Sequence, residues 1–207
     1  MTINLNGFEY NFQEFELRVI NRNQENIFSK NSKRSLGYVL NKALIDPKTR
    51  LKKIASIHTE KYAMFLNYTL GEFLLYLKEN NNPDYLEYLN GYGDKLYCEF
   101  KLEPTLAKSK GLYCYIIDNR IQYIGRSKKT FGERIKEYGK ITPYNCLIDG
   151  QNTNCKINSL INENSNVKIG LFEMNNCSDK EIERLEKDLI KYLNNDKGLD
   201  LWNTQLN

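Results

Sequence analysis

The chain has 207 residues, 41% hydrophobic and 27% charged, enough to bury one sizeable core and too few for two large independent domains. No apolar run approaches the length of a membrane span, so no membrane partner is expected. The formal net charge of +4 is too small to select a partner in bulk, which leaves its distribution to be read.

The start, MTINLNGFEYNF, lacks the basic-then-apolar order of a secretory signal and gives the expectation of a cytoplasmic protein. After this short start the region to about Asn82 reads as mainly helical. Within it Lys30, Lys33, Arg34, Lys42, Lys48, Arg50, Lys52 and Lys53 stand against a single acid, Asp46. In TEKYAMFLNYTLGEFLLYL, Ala63, Leu66, Leu70, Phe73 and Leu77 recur at steps of three and four and predict one long amphipathic helix. Asn, Pro and Gly punctuate NNNPDYLEYLNGYGDK, and LYCEFKLEP reads as a strand ended by Pro104. The pattern changes here, and a boundary near residue 105 divides a first region, 1–105, suited to DNA recognition or dimerisation, from a second domain, 106–207.

From Gly111 onward, Leu112 to Ile117 and Ile121 to Gly125 are β-favouring runs around Asp118-Asn119-Arg120, which predicts a hairpin. Alternation puts Tyr113, Tyr115 and Ile117 on one face and Leu112, Cys114 and Ile116 on the other, with Tyr123 sharing a face with Ile121 and Gly125. Thr130 and Glu133 have capping-box spacing and open a helix to about Tyr138. A second basic run, from Lys101 to Lys140, surrounds this segment, and the two basic runs flanking acidic Glu72 to Glu99 suit either a polyanion-binding face or a solvated surface. Past a polar loop, TNCKINSLINEN suits a short helix and NVKIGLFEM a strand. Ser178 and Glu181 form a second capping-box pattern, opening a helix to about Asn194.

On that last helix Leu185, Leu189, Ile190 and Leu193 form an apolar stripe with Glu186 in its middle and Glu183 at its edge. A carboxylate on a packing face needs a cation or donors, so Glu186 points to a buried salt bridge or a divalent metal. On the earlier helix Phe131, Ile135 and Tyr138 share a face, with Arg134 at its side. Its planar fork of donors suits phosphate oxygens, and it is also a candidate partner for Glu186. Paired hairpin tyrosines are ordinary packing residues, whereas Gly111 and Gly125 inside strands mark close approach of backbone or ligand. Five cysteines without a C-x-x-C pair, and the lone histidine His58, count against a zinc site and a histidine-dependent triad.

Gly111-Leu112-Tyr113 and Tyr123-Ile124-Gly125, then Arg134 with Tyr138 four residues on, Glu186 in EKDLIKYL and Asn203 in WNTQLN, resemble the signature of GIY-YIG nucleases over about residues 109–207. Leu112 stands where that signature usually has isoleucine. The resemblance implies an α+β fold: a GIY-YIG catalytic domain with a small three-stranded antiparallel sheet flanked by helices, here preceded by the mainly helical N-terminal region. It implies metal-dependent hydrolysis of DNA phosphodiester bonds, with one divalent ion, Mg²⁺ or Mn²⁺, bound mainly through Glu186. Tyr113 would be the general base or water-positioning group and Tyr123 a second phenol near the scissile phosphate. Arg134 would stabilise charge with Tyr138 beside it, and Asn203 would be a support. A tyrosine base depends on a nearby cation, because an ordinary phenol has a pKa of about 10.

The setting that fits best is a type II restriction endonuclease, the alternatives being a homing, mobile-element or repair nuclease, or a DNA-binding module of this fold without chemistry. DNA contacts are expected from the Lys30 to Lys53 stretch and from Arg126, Ser127, Lys128 and Lys129. The polar loop Tyr144 to Asn158 is a further candidate, where Asn154, Lys156 and Asn158 can read base edges. The expected partners are double-stranded DNA, a second copy forming a homodimer on a palindromic site, and a companion DNA methyltransferase. Pro83-Asp84 with Glu99-Phe100-Lys101 also superficially matches the P-D and E-x-K halves of another restriction fold.

Overall fold

The computed structural model describes residues 1–25, 27–29 and 33–203. Among these residues the elements run β1 (Thr2–Leu5), β2 (Phe8–Asn11), β3 (Gln13–Glu16), β4 (Arg18–Gln24), α1 (Leu36–Ile45), α2 (Leu51–Lys61), α3 (Leu70–Glu79), α4 (Asp84–Glu87), β5 (Tyr97–Lys101), β6 (Gly111–Ile117), β7 (Arg120–Ser127), α5 (Phe131–Tyr138), α6 (Asn152–Glu163), β8 (Val167–Glu173) and α7 (Asp179–Lys191). The fold is α+β with sheets of two, four and two strands, ordered β1-β2, β3-β8-β6-β7 and β4-β5. No helix among the described residues is long and apolar enough to cross a membrane.

Two features correct the expected architecture. The main sheet has four strands instead of three, because Gln13–Glu16 adds to the outer edge of β8 with Phe15 opposite Ile169. The chain also begins with strands and not with a mainly helical region. Ile3 and Leu5 are buried while Thr2 and Asn4 are exposed, the period-two pattern of a half-buried strand. Asn6 and Gly7, at φ of 53° and 81°, close the β1–β2 hairpin. This Asn-Gly turn between alternating residues is the strand signal that a helical reading passes over.

The chain divides into two compact units, each made of separate stretches, where one cut near residue 105 was expected. The first comprises Met1–Ile20, Phe100–Glu137 and the described residues from Glu163 onward; the second comprises Asn21–Glu99 and Tyr138–Asn162.

In the second unit Leu36, Leu40, Ala55, Leu70, Phe73 and Leu74 are among the residues that form an apolar core. The long helix expected through Thr59–Leu77 is broken. α2 stops at Lys61, a tight turn spans Ala63–Phe65, and α3 restarts where Thr69 and Glu72 form a reciprocal capping box. Cys146 and Cys155 of this unit are joined in a disulfide, whereas Cys98, Cys114 and Cys177 are free.

In the first unit β6 and β7 form the expected hairpin, turned by Asp118 and Asn119 at φ of 49° and 59°. Tyr113 lies opposite Gly125 and Tyr115 opposite Tyr123, but Ile116 then lies opposite Ile121, so Gln122 is an inserted bulge residue. The bulge corrects the predicted faces. Ile121 turns away from Tyr123 and joins Leu112, Cys114, Ile116 and Ile124 in a core with Ile182, Leu189 and Ile190 of α7. Both predicted capping boxes, Thr130 with Glu133 and Ser178 with Glu181, are formed at the starts of α5 and α7.

At Gly111 the backbone has φ of +144°, and a Cβ would stand 2.2 Å from the Phe172 carbonyl oxygen and 2.8 Å from the Met174 nitrogen. Both obstacles are backbone of the adjoining segment and cannot swing aside. Gly111→Ala is expected to lower stability by about 1–3 kcal/mol or more, read as an earlier urea midpoint at unchanged slope.

Candidate active site

The tyrosine face of the sheet is built around a missing side chain. A Cβ on Gly125 would lie 2.5 Å from both Cζ and the hydroxyl oxygen of Tyr113 and 2.8 Å from Cε1 of Tyr123. The two rings occupy the space above that peptide. Tyr113, Tyr115 and Tyr123 form a mutual cluster with ring centroids 6.0 to 6.3 Å apart. Tyr113 is wholly buried and Tyr123 nearly so.

α5 brings Arg134 to this cluster. Its Nε donates to the Tyr113 hydroxyl at 3.2 Å, and its Nη1 pairs with Glu137, one turn on, at 3.0 Å. A guanidinium donating to a phenol oxygen stabilises negative charge there. With a quarter of its side chain exposed, Arg134 can still meet a solvent-borne anion. Glu137 was missed in the sequence, although its R-x-x-E spacing is the ordinary sign of a helical ion pair.

A second group occupies the other face of the same strand. Arg126 lies opposite Leu112, whose side chain is in the core against α7. Arg126 Nη1 is bonded to Glu186, and Nη2 lies 3.6 Å from Glu183 one turn earlier. The buried salt bridge anticipated for Glu186 therefore exists, with Arg126 in the place considered for Arg134. Burial pushes the Glu186 carboxyl above its ordinary pKa, and the Arg126 charge opposes that rise. Gly125 and Arg126 are consecutive, so the tyrosine–Arg134 group and the Arg126–Glu186 group flank one peptide bond of the edge strand.

Asn203 is a clamp. Its amide oxygen accepts from Ile124 N–H at 3.0 Å and its amide nitrogen donates to Ile124 carbonyl at 2.7 Å, while Trp202 N–H donates to Gln122 carbonyl. The terminal segment thereby satisfies the outer edge of β7 as a short strand would.

Other expected site residues have different employment. Tyr138 is fully buried in the second unit, where its carbonyl accepts from Asn158. Asn158, proposed as a base reader, is itself fully buried. Its oxygen accepts from Cys98 N–H and its nitrogen donates to the Cys98 carbonyl. Asn154 is likewise buried and bonds Gln151, and Lys156 is half-buried. From Asn152 onward the polar stretch is an amphipathic helix, α6, in which Asn158 serves the protein's own backbone, and this corrects the reading of that part as a DNA-reading loop. Ser127 is buried too, its Oγ 2.9 and 3.0 Å from the Lys129 and Thr130 carbonyls, and Arg126 is committed to carboxylates, so neither is a ready DNA contact. Lys128 and Lys129 are exposed as expected. In the Lys30 to Lys53 stretch, Lys30 lies outside the described residues and Lys42, Lys48, Arg50, Lys52 and Lys53 are exposed. The rival P-D and E-x-K pattern has structural uses: Asp84 accepts from Lys61 and Tyr62, and Glu99 from Asn21.

Among the described residues no group of three or more His, Cys, Asp or Glu side chains converges. Glu186 and Glu183 are hard-oxygen donors of the kind Mg²⁺ takes, and here they are paired with Arg126, Lys128 and Lys187, which a bound ion would have to displace. No family model, curated protein or solved structure matches this chain.

Two consequences are measurable. Gly125→Ala forces both tyrosine rings to move and is expected to cost about 1–3 kcal/mol, with a smaller cost in a Tyr113→Leu background, as a double-mutant cycle would report. Glu186 has a folded pKa above its ordinary 4.5, so the native state holds the proton more tightly and stability falls as pH rises through that window. Urea unfolding at about pH 4 and about pH 7 should show wild type losing stability relative to Glu186→Gln.

Proposed function

We propose that the chain is a metal-dependent DNA endonuclease of the GIY-YIG type, hydrolysing phosphodiester bonds of double-stranded DNA as a homodimeric type II restriction enzyme. The observation that carries the reading is Arg134, bonded at Nε to Tyr113 beside the side-chain-free Gly125 and still part-exposed. Phosphodiester cleavage spreads added negative charge over the phosphate oxygens, and a guanidinium fixed in advance stabilises that charge without reorganising. Tyr113 and Glu137 hold Arg134 in that orientation, and Tyr123 supplies a second phenol packed against Tyr113.

Glu186, with Glu183 one turn earlier, would hold Mg²⁺ or Mn²⁺. When bound, the ion supplies Lewis-acid stabilisation and an activated water. Arg126 favours the charged form of the Glu186 carboxyl, against burial, which favours the neutral form and raises its pKa. Asn203 pairs with the outer edge of β7 at Ile124, directly before Gly125 and Arg126, from which the two groups extend to opposite faces. The restriction setting, the dimer and a companion methyltransferase rest on the sequence resemblance alone.

The complete burial of Tyr113 favours a second reading, a DNA-binding module that does no chemistry, since a general base must meet water. Cleavage of a mixed-sequence plasmid separates the two. Discrete bands with Mg²⁺ that vanish with EDTA and with Glu186→Gln are expected, and Tyr113→Phe should slow cutting by at least about tenfold through loss of the Arg134 contact. Tight DNA binding without cutting would support the second reading, and cutting that survives Glu186→Gln would remove Glu186 from the chemistry.

A further inference from the structure

At the open end of the β6–β7 hairpin a shallow, open concavity is ringed by Lys108, Lys110, Lys128 and Lys129, with Thr130, Glu133 and Asn175 between them. The lysines stand on fixed backbone. Phe131 N–H donates to the Ser109 carbonyl at 2.8 Å and Gly132 N–H to the Ala107 carbonyl at 3.1 Å, tying the loop to the start of α5. Gly132 makes this approach possible, because a Cβ there would stand 2.6 Å from that of Ala107. From the other side Asn175 accepts from Lys110 N–H at 3.0 Å and donates to Ser109 Oγ at 3.3 Å. The Ser127 hydroxyl fixes the Lys128–Lys129 turn.

The helix terminus is already satisfied by this loop and by the Thr130–Glu133 box, so the concavity offers ammonium groups and not free amides. Lys110 has Asp179 at 3.9 Å and Lys128 has Glu183 at 3.6 Å, long pairs with one exposed and one part-exposed partner each, of the kind that contributes little. Among the described residues Lys108 and Lys129 have no carboxylate within ion-pair distance; Glu133 also lines the concavity, bonded to Thr130, and its charge is felt by Lys129, which leaves four lysines against this one lining carboxylate. A surplus of positive charge therefore faces outward. Ser127 lies two residues beyond Gly125, about 7 Å along the strand, so the charge borders the Tyr113–Arg134 group.

We propose that this concavity seats the phosphate backbone of double-stranded DNA and holds it against the Arg134 site. The choice of DNA over another polyanion rests on the nuclease reading above. Lysines act as point charges toward phosphate and carry no sequence information, so the surface supplies affinity and register while any base reading occurs elsewhere.

The test measures anisotropy of a labelled mixed-sequence duplex in EDTA, over about 50 to 200 mM NaCl. It compares wild type, Lys108→Ala/Lys129→Ala, and a control pair on α7, Lys180→Ala/Lys191→Ala. The first pair should bind at least tenfold more weakly at low salt and flatten the slope of log K against log salt by about 2, while the control stays within twofold of wild type. An unchanged slope in the first pair, an equal loss in the control, or no wild-type binding would overturn the proposal. So would lysine-dependent binding to phosphatidylserine vesicles with none to DNA. Cleavage of the same duplex with Mg²⁺ separates the two claims. Lysine-dependent binding without cutting leaves the surface standing and removes the nuclease reading, and undiminished cutting by the first pair does the reverse.

Discussion

Two phenol rings lying on the bare backbone of Gly125 set the arrangement of the sheet unit. They can pack there only if Tyr113 and Gly125 face each other across β6 and β7, which is the observed register. The tyrosine trio then demands one face and the isoleucines the other. Gln122 resolves the conflict as an extra residue, letting Tyr123 and Ile121 point to opposite sides although they are two apart in sequence. Arg134 depends on the same arrangement, because its phenol partner is held by the rings around it.

The opposite face shows a different balance. α7 must bury Ile182, Leu189 and Ile190 against the sheet, and Glu186 is carried into that interface with them. An isolated carboxylate there would be costly, and Arg126 meets it from the strand. The compensation is incomplete, since burial still raises the carboxyl pKa. A group held in such partial compensation has its charge set by its surroundings, which is a common property of functional carboxylates and also of structural ion pairs.

What the sequence discloses follows the range of the forces involved. Local signals were legible: the Asp118–Asn119 turn, the capping boxes at Thr130 and Ser178, the apolar stripe of α7 with Glu186 on it. Signals that depend on distant partners were not. Gln13–Glu16 is a strand only because β8 offers an edge, and Gln122 is a bulge only because Tyr115 and Ile116 select its neighbours. Asn158 looked like a surface amide because nothing nearby in sequence shows that Cys98 would need a partner for its backbone. The Thr69–Glu72 box, by contrast, was local and readable, and the continuous helical spacing of the apolar residues masked it.

The glycine beneath the tyrosines also gives mutation a preferred order. A side chain cannot appear at residue 125 while both rings are in place, but a ring can shrink first and leave a tolerable gap that a later methyl group fills. Descendants of this sequence can therefore leave the present arrangement by losing a tyrosine and then the glycine, and the reverse route passes through a disfavoured intermediate. Accumulated change at this spot would carry a direction, with a tyrosine replaced before the glycine.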